Sequence, residues 1–285
     1  MSLHGKLAVV TGGSRGIGEA IAVNLASKRC SLLLNYTSPS SRGPTESLCQ
    51  RLASDHGIAC IAVQADLSQP ESAASTILDA AKTHFSTPTL RIDLLINNAG
   101  VSQDRTLNDT APITPEYFHW HYTINVLAPL LLVQTLAPFL PTDRSGRIVN
   151  ISSVSASLGF AGQSVYGGTK AALEAMTRTW ARELAPRATV NAVTPGPVVG
   201  DMYFNAGEGF WDQIQGFQDN TPLSALSGDE GGRLSGEQVQ LVREKMGGRR
   251  PAFTSEIAGV VGMLCSEDGG WCTGSVVCAN GGMVM

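Results

Sequence analysis

Tyr166 and Lys170 stand four residues apart in V-Y-G-G-T-K, at the head of a helical pattern, Ser164–Leu184. On a helix, residues i and i+4 share a face, so the phenol and the ammonium can point into one cleft. That pairing suits proton transfer. A free tyrosine titrates at about 10, too high for efficient exchange at neutral pH, and a neighbouring ammonium stabilises its phenolate. Gly167 and Gly168 lie between the two groups. Glycine costs roughly 1 kcal/mol relative to alanine inside a helix. Either packing elsewhere makes that loss tolerable, or the missing side chains leave room for a bulky molecule.

A second stretch reads T-G-G-S-R-G-I-G at 11–18, between an apolar run and a helical pattern. Gly12, Gly16 and Gly18 allow a tight strand-to-helix turn, and Ser14, Arg15 and Ile17 fill it. Such a turn lets backbone N–H groups and the positive end of a helix dipole meet a pyrophosphate. A dinucleotide site of the NAD type carries an acidic residue about 20 residues on, for the ribose 2′-hydroxyl. Here the chain reads L-L-L-N-Y-T-S-P-S-S-R at 32–42, with no Asp or Glu. Asn35, Thr37, Ser38 and Ser41, flanking Tyr36, are donors suited to a 2′-phosphate, and Arg15 adds charge. The cofactor read from these residues is NADP(H). Arg42 is equally well plain surface charge.

The elements that must hold these groups alternate. Strand patterns cover Leu7–Thr11, Ser31–Tyr36, Ile58–Leu67, Ile92–Asn97, Arg147–Ser152, Thr189–Thr194 and Ser275–Ala279. Helical patterns run from the glycine turn to Arg29 and over Pro44–His56, Pro70–Phe85, Thr114–Leu140, Ser164–Leu184 and Thr254–Ser266. Seven β units separated by helices predict one α/β domain over residues 1–285, a Rossmann-like doubly wound parallel sheet covered on both faces. Residues 200–250 break the rhythm with Gly, Ser and charge, and predict a helical insertion serving as a substrate loop. Its Met202, Tyr203, Phe204, Phe210, Trp211 and Phe217 would in part line an apolar pocket and in part form the insertion's own core.

Composition excludes other classes. The 285 residues are 43% hydrophobic and 15% charged, with a net charge of −4 and no basic stripe for nucleic acid. No unbroken apolar run reaches the roughly 20 residues of a membrane span. The chain opens directly on a strand pattern without a signal-peptide layout, and a cytoplasmic protein is the simplest expectation. Six cysteines, at 30, 49, 60, 265, 272 and 278, form no C-x-x-C pair and read as small buried hydrophobes in a reducing compartment. His119 and His121 read as surface or interface residues, because no further donors pair with them to hold a metal. No metal site is expected.

Taken in order, the landmarks resemble the short-chain dehydrogenase/reductase family. They are T-G-G-S-R-G-I-G at 11–18, Asp66, N-N-A-G at 97–100, Asn125 in I-N-V, Ser153 in N-I-S-S, Y-G-G-T-K at 166–170 and P-G-P-V at 195–198. Within it the chain is similar to 3-oxoacyl-carrier-protein reductases and fungal polyketide (naphthol) reductases. The resemblance implies a catalytic set of Asn125, Ser153, Tyr166 and Lys170. Tyr166 would protonate a carbonyl oxygen as hydride arrives from the nicotinamide. Lys170 would lower the phenol pKa and hold the nicotinamide ribose, Ser153 would bind the substrate oxygen, and Asn125 would sit in a distorted helix and anchor a water. Asp66 would accept from the adenine amino group, beside Leu67. Asn98, Ala99 and Gly100 would border the adenosine ribose, and Pro195, Gly196 and Val198 the nicotinamide.

Gly200 stands where the family often has a threonine toward the carboxamide, and Asn280 replaces the usual aspartate of a structural turn. The expected activity is NADPH-dependent reduction of a ketone to a secondary alcohol, on a large apolar or aromatic molecule such as a polyketide. The expected partners are that small-molecule ketone and further copies of the chain, as a homotetramer or dimer. The alternatives are an NADP-dependent alcohol dehydrogenase working in reverse, a cyclase-like enzyme on the same site, and a non-catalytic NADPH-binding protein.

Overall fold

The computed structural model describes residues 2–284 except 87, 109 and 229–232. Seven strands form one parallel sheet in the order β3-β2-β1-β4-β5-β6-β7. They are β1 (Leu7–Val10), β2 (Ser31–Tyr36), β3 (Cys60–Gln64), β4 (Leu94–Asn97), β5 (Gly146–Ile151), β6 (Ala188–Pro195) and β7 (Val276–Ala279). The Rossmann-like expectation stands. The third strand is shorter than its apolar pattern, because the chain leaves the sheet at Ala65.

Alternation along the strands builds two cores. Val9, Leu33, Leu95, Ile148 and Val190 face one side, under α3 (Pro70–Phe85), α5 (Ala128–Leu136) and α6 (Ser164–Glu183). Val10, Leu34, Ile96, Val149 and Val193 face the other, under α1 (Gly16–Ser27), α2 (Arg42–His56) and α10 (Thr254–Leu264). Strands buried on both faces read as continuous apolar runs, as these do. The order reverses between β1 and β4, and the carboxyl ends of the strands there open the crevice where ligands bind in such sheets.

Between β4 and β5 the chain forms α4 (Pro115–Tyr122), a π-helical turn (Thr123–Leu127) and α5. Pro115–Phe139 is, among the described residues, the one helical run long and apolar enough by length and composition to cross a membrane. Tyr117, His121 and Asn125 interrupt its apolar sequence, so no unbroken run stands out. The run packs along α3 and α6 and places Ile124, Leu132 and Leu136 in the core.

Residues 200–250 contain α7 (Asp201–Phe204), α8 (Glu208–Asp219) and α9 (Gly236–Lys245). Tyr203, Trp211, Ile214, Val242 and Met246 form a third core with Val154, Phe160 and Phe253. The Trp211 indole donates to the Tyr203 carbonyl at 3.0 Å, and Gln218 Nε2 donates to the Tyr203 hydroxyl at 2.8 Å. Of the aromatics expected to line a pocket, Tyr203 and Trp211 are thus held inside the segment, while Phe217 packs edge-on against Phe160 at 5.4 Å.

Candidate active site

The glycine turn joins β1 to α1. Gly12 and Gly16 have φ of +61° and +59°, which only glycine adopts without strain. A Cβ on Gly18 would lie 2.1 Å from the Gly12 carbonyl oxygen, so the helix closes directly onto the turn. Arg15 precedes α1 without capping it by a side-chain bond, and is exposed. Ser14 and Ile17 are partly open at the same turn. Asn98 braces it: Nδ2 donates to the Thr11 and Gly12 carbonyls at 2.9 and 3.1 Å, and the Asn98 and Ala99 amides donate to Thr11 Oγ1.

Beyond β2, Thr37 and Ser38 are exposed, and Ser38 Oγ lies 2.9 Å from the hydroxyls of Ser40 and Ser41. Tyr36 is buried at the strand end. Asn35 corrects the sequence reading. It is 1% exposed; its Nδ2 donates to the Ala65 and Tyr36 carbonyls and its Oδ1 receives the Gly12 amide. It ties β3 and the glycine turn together instead of offering donors to a phosphate. Arg42 pairs with Glu46 at 2.8 Å and is surface charge. Asp66 is exposed and caps Ser68 through both oxygens, with Leu67 buried beside it.

The second half of the site hangs on β5 and α6. Ser153 follows β5; its Oγ receives the Ser155 amide at 3.1 Å and donates to Ser155 Oγ at 3.0 Å. Tyr166 and Lys170 lie on one face of α6, with the Lys170 Nζ 5.6 Å from the Tyr166 ring centroid. Lys170 is 4% exposed and donates to the Ile151 carbonyl at 2.8 Å. Burial lowers its pKa to about 8, and the Glu174 carboxylate opposes that fall. Burial pushes the half-buried Tyr166 phenol up to about 12; its hydrogen bond with Ser153 opposes the rise and the Asp104 carboxylate adds to it.

The direction is opposite to the lowered phenol that the resemblance implies. Lys170 donates to the Ile151 carbonyl, and burial is the largest influence on the phenol. The phenol therefore holds its proton at neutral pH, the state a general acid requires.

Asn125 sits in the π-helical turn, the distortion expected there. Its Oδ1 receives the Val101 amide at 2.9 Å, and its Nδ2 donates to the Val101 carbonyl at 2.9 Å and to Thr169 Oγ1 at 3.1 Å. A Cβ on Gly100 would come within 3.3 Å of both Asn125 Oδ1 and Lys170 Nζ, so this close approach needs glycine. Pro195 ends β6, and the turn through Gly196 and Val198 is tied to residue 252 by the Val198–Ala252 bridge. Asn280 holds its own turn through Gly282 and Val284, the structural role expected.

Two expectations on single residues change. His121 is fully buried, not a surface group: Nδ1 donates to the Tyr117 carbonyl at 2.9 Å and Nε2 accepts from the Gln103 amide at 3.2 Å. Only His119 is exposed. Cys278 is exposed, while Cys30, Cys49 and Cys265 are buried as expected. Among the described residues no group of His, Cys, Asp or Glu could hold a metal.

Several residues fit a nicotinamide dinucleotide phosphate. The glycine turn offers uncapped helix amides, Arg15 stands exposed beside them, and no carboxylate follows β2 to repel a phosphate. The Gly100 cradle beside Lys170 and Asn125 leaves space a side chain would fill. The short chain dehydrogenase model matches residues 6–209. The chain belongs to the short-chain dehydrogenase family.

This dehydrogenase is 73% identical to the L-xylulose reductase of Aspergillus niger, over 99% of its own length and 98% of the relative. It is 57% identical to the L-xylo-3-hexulose reductase of Hypocrea jecorina, covering 99% of this chain and 97% of that one. A metagenomic blue fluorescent protein solved in complex with NADPH superposes at a TM-score of 0.81, with 31% identity and full coverage of both chains. The dehydrogenase is an NADP-dependent oxidoreductase.

Sequence reasoning missed Ser155, Gln163, Asp104 and Thr169. Gln163 had a signal, since it lies at the start of the helix that carries Tyr166. Asp104 had none, because it reaches the site only through a loop.

Proposed function

We propose that the protein is an NADPH-dependent ketose reductase, converting the ketone of a small polyhydroxylated chain to a secondary alcohol. In this reading Tyr166 gives its proton to the carbonyl oxygen, Ser153 orients that oxygen, Lys170 holds the nicotinamide ribose and Asn125 fixes the backbone beside them. NADPH supplies the hydride. Arg15 and Ser38 face the 2′-phosphate, Asp66 the adenine, and the 195–198 turn the carboxamide.

One observation carries the choice of substrate. Tyr203 and Trp211, two of the six residues that the sequence divides between an apolar pocket and the insertion's own core, fall in the core of the 200–250 segment. The side chains bonded in sequence from Ser153 are instead polar, Ser155 and then Gln163. That removes support for a large aromatic or polyketide-like ketone. Two relatives of high identity, named reductases of ketoses, point the same way. The 200–250 segment covers the site as its substrate loop. A further copy of the chain covers exposed apolar side chains of α4 and the π turn, among which Phe118, Trp120 and Leu127 are each 41% exposed.

The test is NADPH oxidation against ketoses, cyclic diketones and polyhydroxylated aromatic ketones. Ketose turnover exceeding the other two classes supports the reading. Preference for the aromatic ketones would replace it.

A further inference from the structure

Ser153 begins a chain of polar contacts that leads out of the catalytic centre. Its Oγ donates to Ser155 Oγ at 3.0 Å, and Ser155 Oγ donates to Gln163 Oε1 at 2.7 Å. Gln163 Nε2 donates to Asp104 Oδ2 at 3.4 Å. Gln163 is the N-cap residue of α6, immediately before the helix that carries the phenol. Asp104 arrives from the other side of the cleft, on the loop after N-N-A-G.

That loop is held at three points. The Arg105 amide donates to the Gly162 carbonyl at 2.9 Å, the Gln103 amide donates to His121, and the Tyr117 hydroxyl donates to the Gln103 carbonyl. Asp104 itself presses on the 162 turn: a Cβ on Gly162 would lie 3.1 Å from the Asp104 Cβ. The carboxylate is therefore placed, although its side chain is exposed. Its Oδ1 accepts nothing from the described residues.

A hydroxylated ketone entering this cleft loses water from each hydroxyl, and each needs a partner to offset that loss. A carboxylate with a free oxygen, oriented by an amide, is an acceptor pair for adjacent hydroxyls. We propose that Asp104, oriented by Gln163, is a specificity-determining residue that accepts hydrogen bonds from the hydroxyls flanking the substrate carbonyl. The inference rests on the ketose reading above. A ketone without hydroxyls offers this carboxylate no donor and gains nothing from it, so the residue favours the hydroxylated ketone.

The experiment measures kcat/KM with NADPH for L-xylulose and for butane-2,3-dione, in wild type, Asp104→Ala and Asp104→Asn. The readout is the ratio of the two values. In Asp104→Ala the ratio falls about 10- to 100-fold, through a higher KM for L-xylulose. Asp104→Asn, which keeps one acceptor oxygen and the shape of the side chain, falls between and shows that the loss is not misfolding. A ratio within about twofold of wild type in both variants overturns the assignment while the ketose reading stands. A wild type that reduces the dione but not L-xylulose overturns the ketose reading, and the assignment with it.

Discussion

Gly167 packs against the carbonyl oxygen of Ser155, so closely that a Cβ would lie 2.5 Å from it. Its neighbour Gly168 faces the Tyr122 hydroxyl, where a Cβ would lie at 3.0 Å. Close packing against the segment that carries Ser153 therefore requires a glycine at 167, while Gly168 also borders a cavity of about 460 Å³ beside Ser155 and Gln163. Close approach of α6 to the 153–155 segment sets the position of Ser153 relative to Tyr166, the pair proposed to share the substrate oxygen.

Gly167→Ala accordingly displaces the 153–155 segment. Misplacement by about 1 Å costs on the order of 100-fold in rate. The expected result is a kcat lower by about 10- to 100-fold, with NADPH affinity changed far less. Steady-state kinetics alongside a fluorescence titration of NADPH separate the two. Unchanged kcat would mean that the segment yields without disturbing Ser153.

Lys170 carries a cost of burial that shows in stability. Its folded pKa of about 8 lies below the ordinary 10.5. Between those values the unfolded chain holds a proton the folded chain has released, so stability rises with pH. Below about 8 the ammonium is buried and charged, and that contribution is gone. Tyr166 acts in the opposite sense, but only as pH rises from its ordinary 10.0 toward about 12, where the folded state alone keeps the proton. Lys170→Met therefore gains most on wild type near pH 7, and the gap narrows toward pH 10. Melting temperatures of both proteins across that range check it. A gap that widens with pH would contradict the buried ammonium.

Arg15 is exposed at the mouth of the glycine turn, and Arg42 is tied to Glu46. A charge-assisted hydrogen bond to a phosphate is worth about 1.5–3 kcal/mol. Arg15→Ala should weaken NADPH binding by about 10- to 100-fold and NADH binding by much less. Calorimetric titration with each nucleotide decides. Equal losses would remove Arg15 from the 2′-phosphate.

Local patterns were the legible part of this molecule. The glycine turn sits within eight residues, and Tyr166 and Lys170 share a helix face by spacing alone. The strands declared themselves as apolar runs because both faces of the sheet are covered. The same double burial hid Asn35. In β2 every residue from Leu32 to Tyr36 is buried, so alternation does not tell which side chain turns inward. His121 reads as a surface or interface residue, and only the 101–106 loop folding over it makes it a buried acceptor. Asp104 and Gln163 are 59 residues apart and meet through a turn at Gly162, a contact no local pattern encodes. The aromatics of the 200–250 segment were visible, but their shared core needs the packing of three helices.

The central claim is proton donation by Tyr166 to the carbonyl of a ketose, and one variant tests it most directly. NADPH oxidation with L-xylulose is followed at 340 nm for wild type and Tyr166→Phe, with NADPH binding measured separately. A positioned general acid contributes about 10²- to 10⁴-fold. The account predicts a loss of that size with NADPH affinity within about threefold of wild type. A Tyr166→Phe enzyme that kept more than a few per cent of wild-type turnover would contradict it.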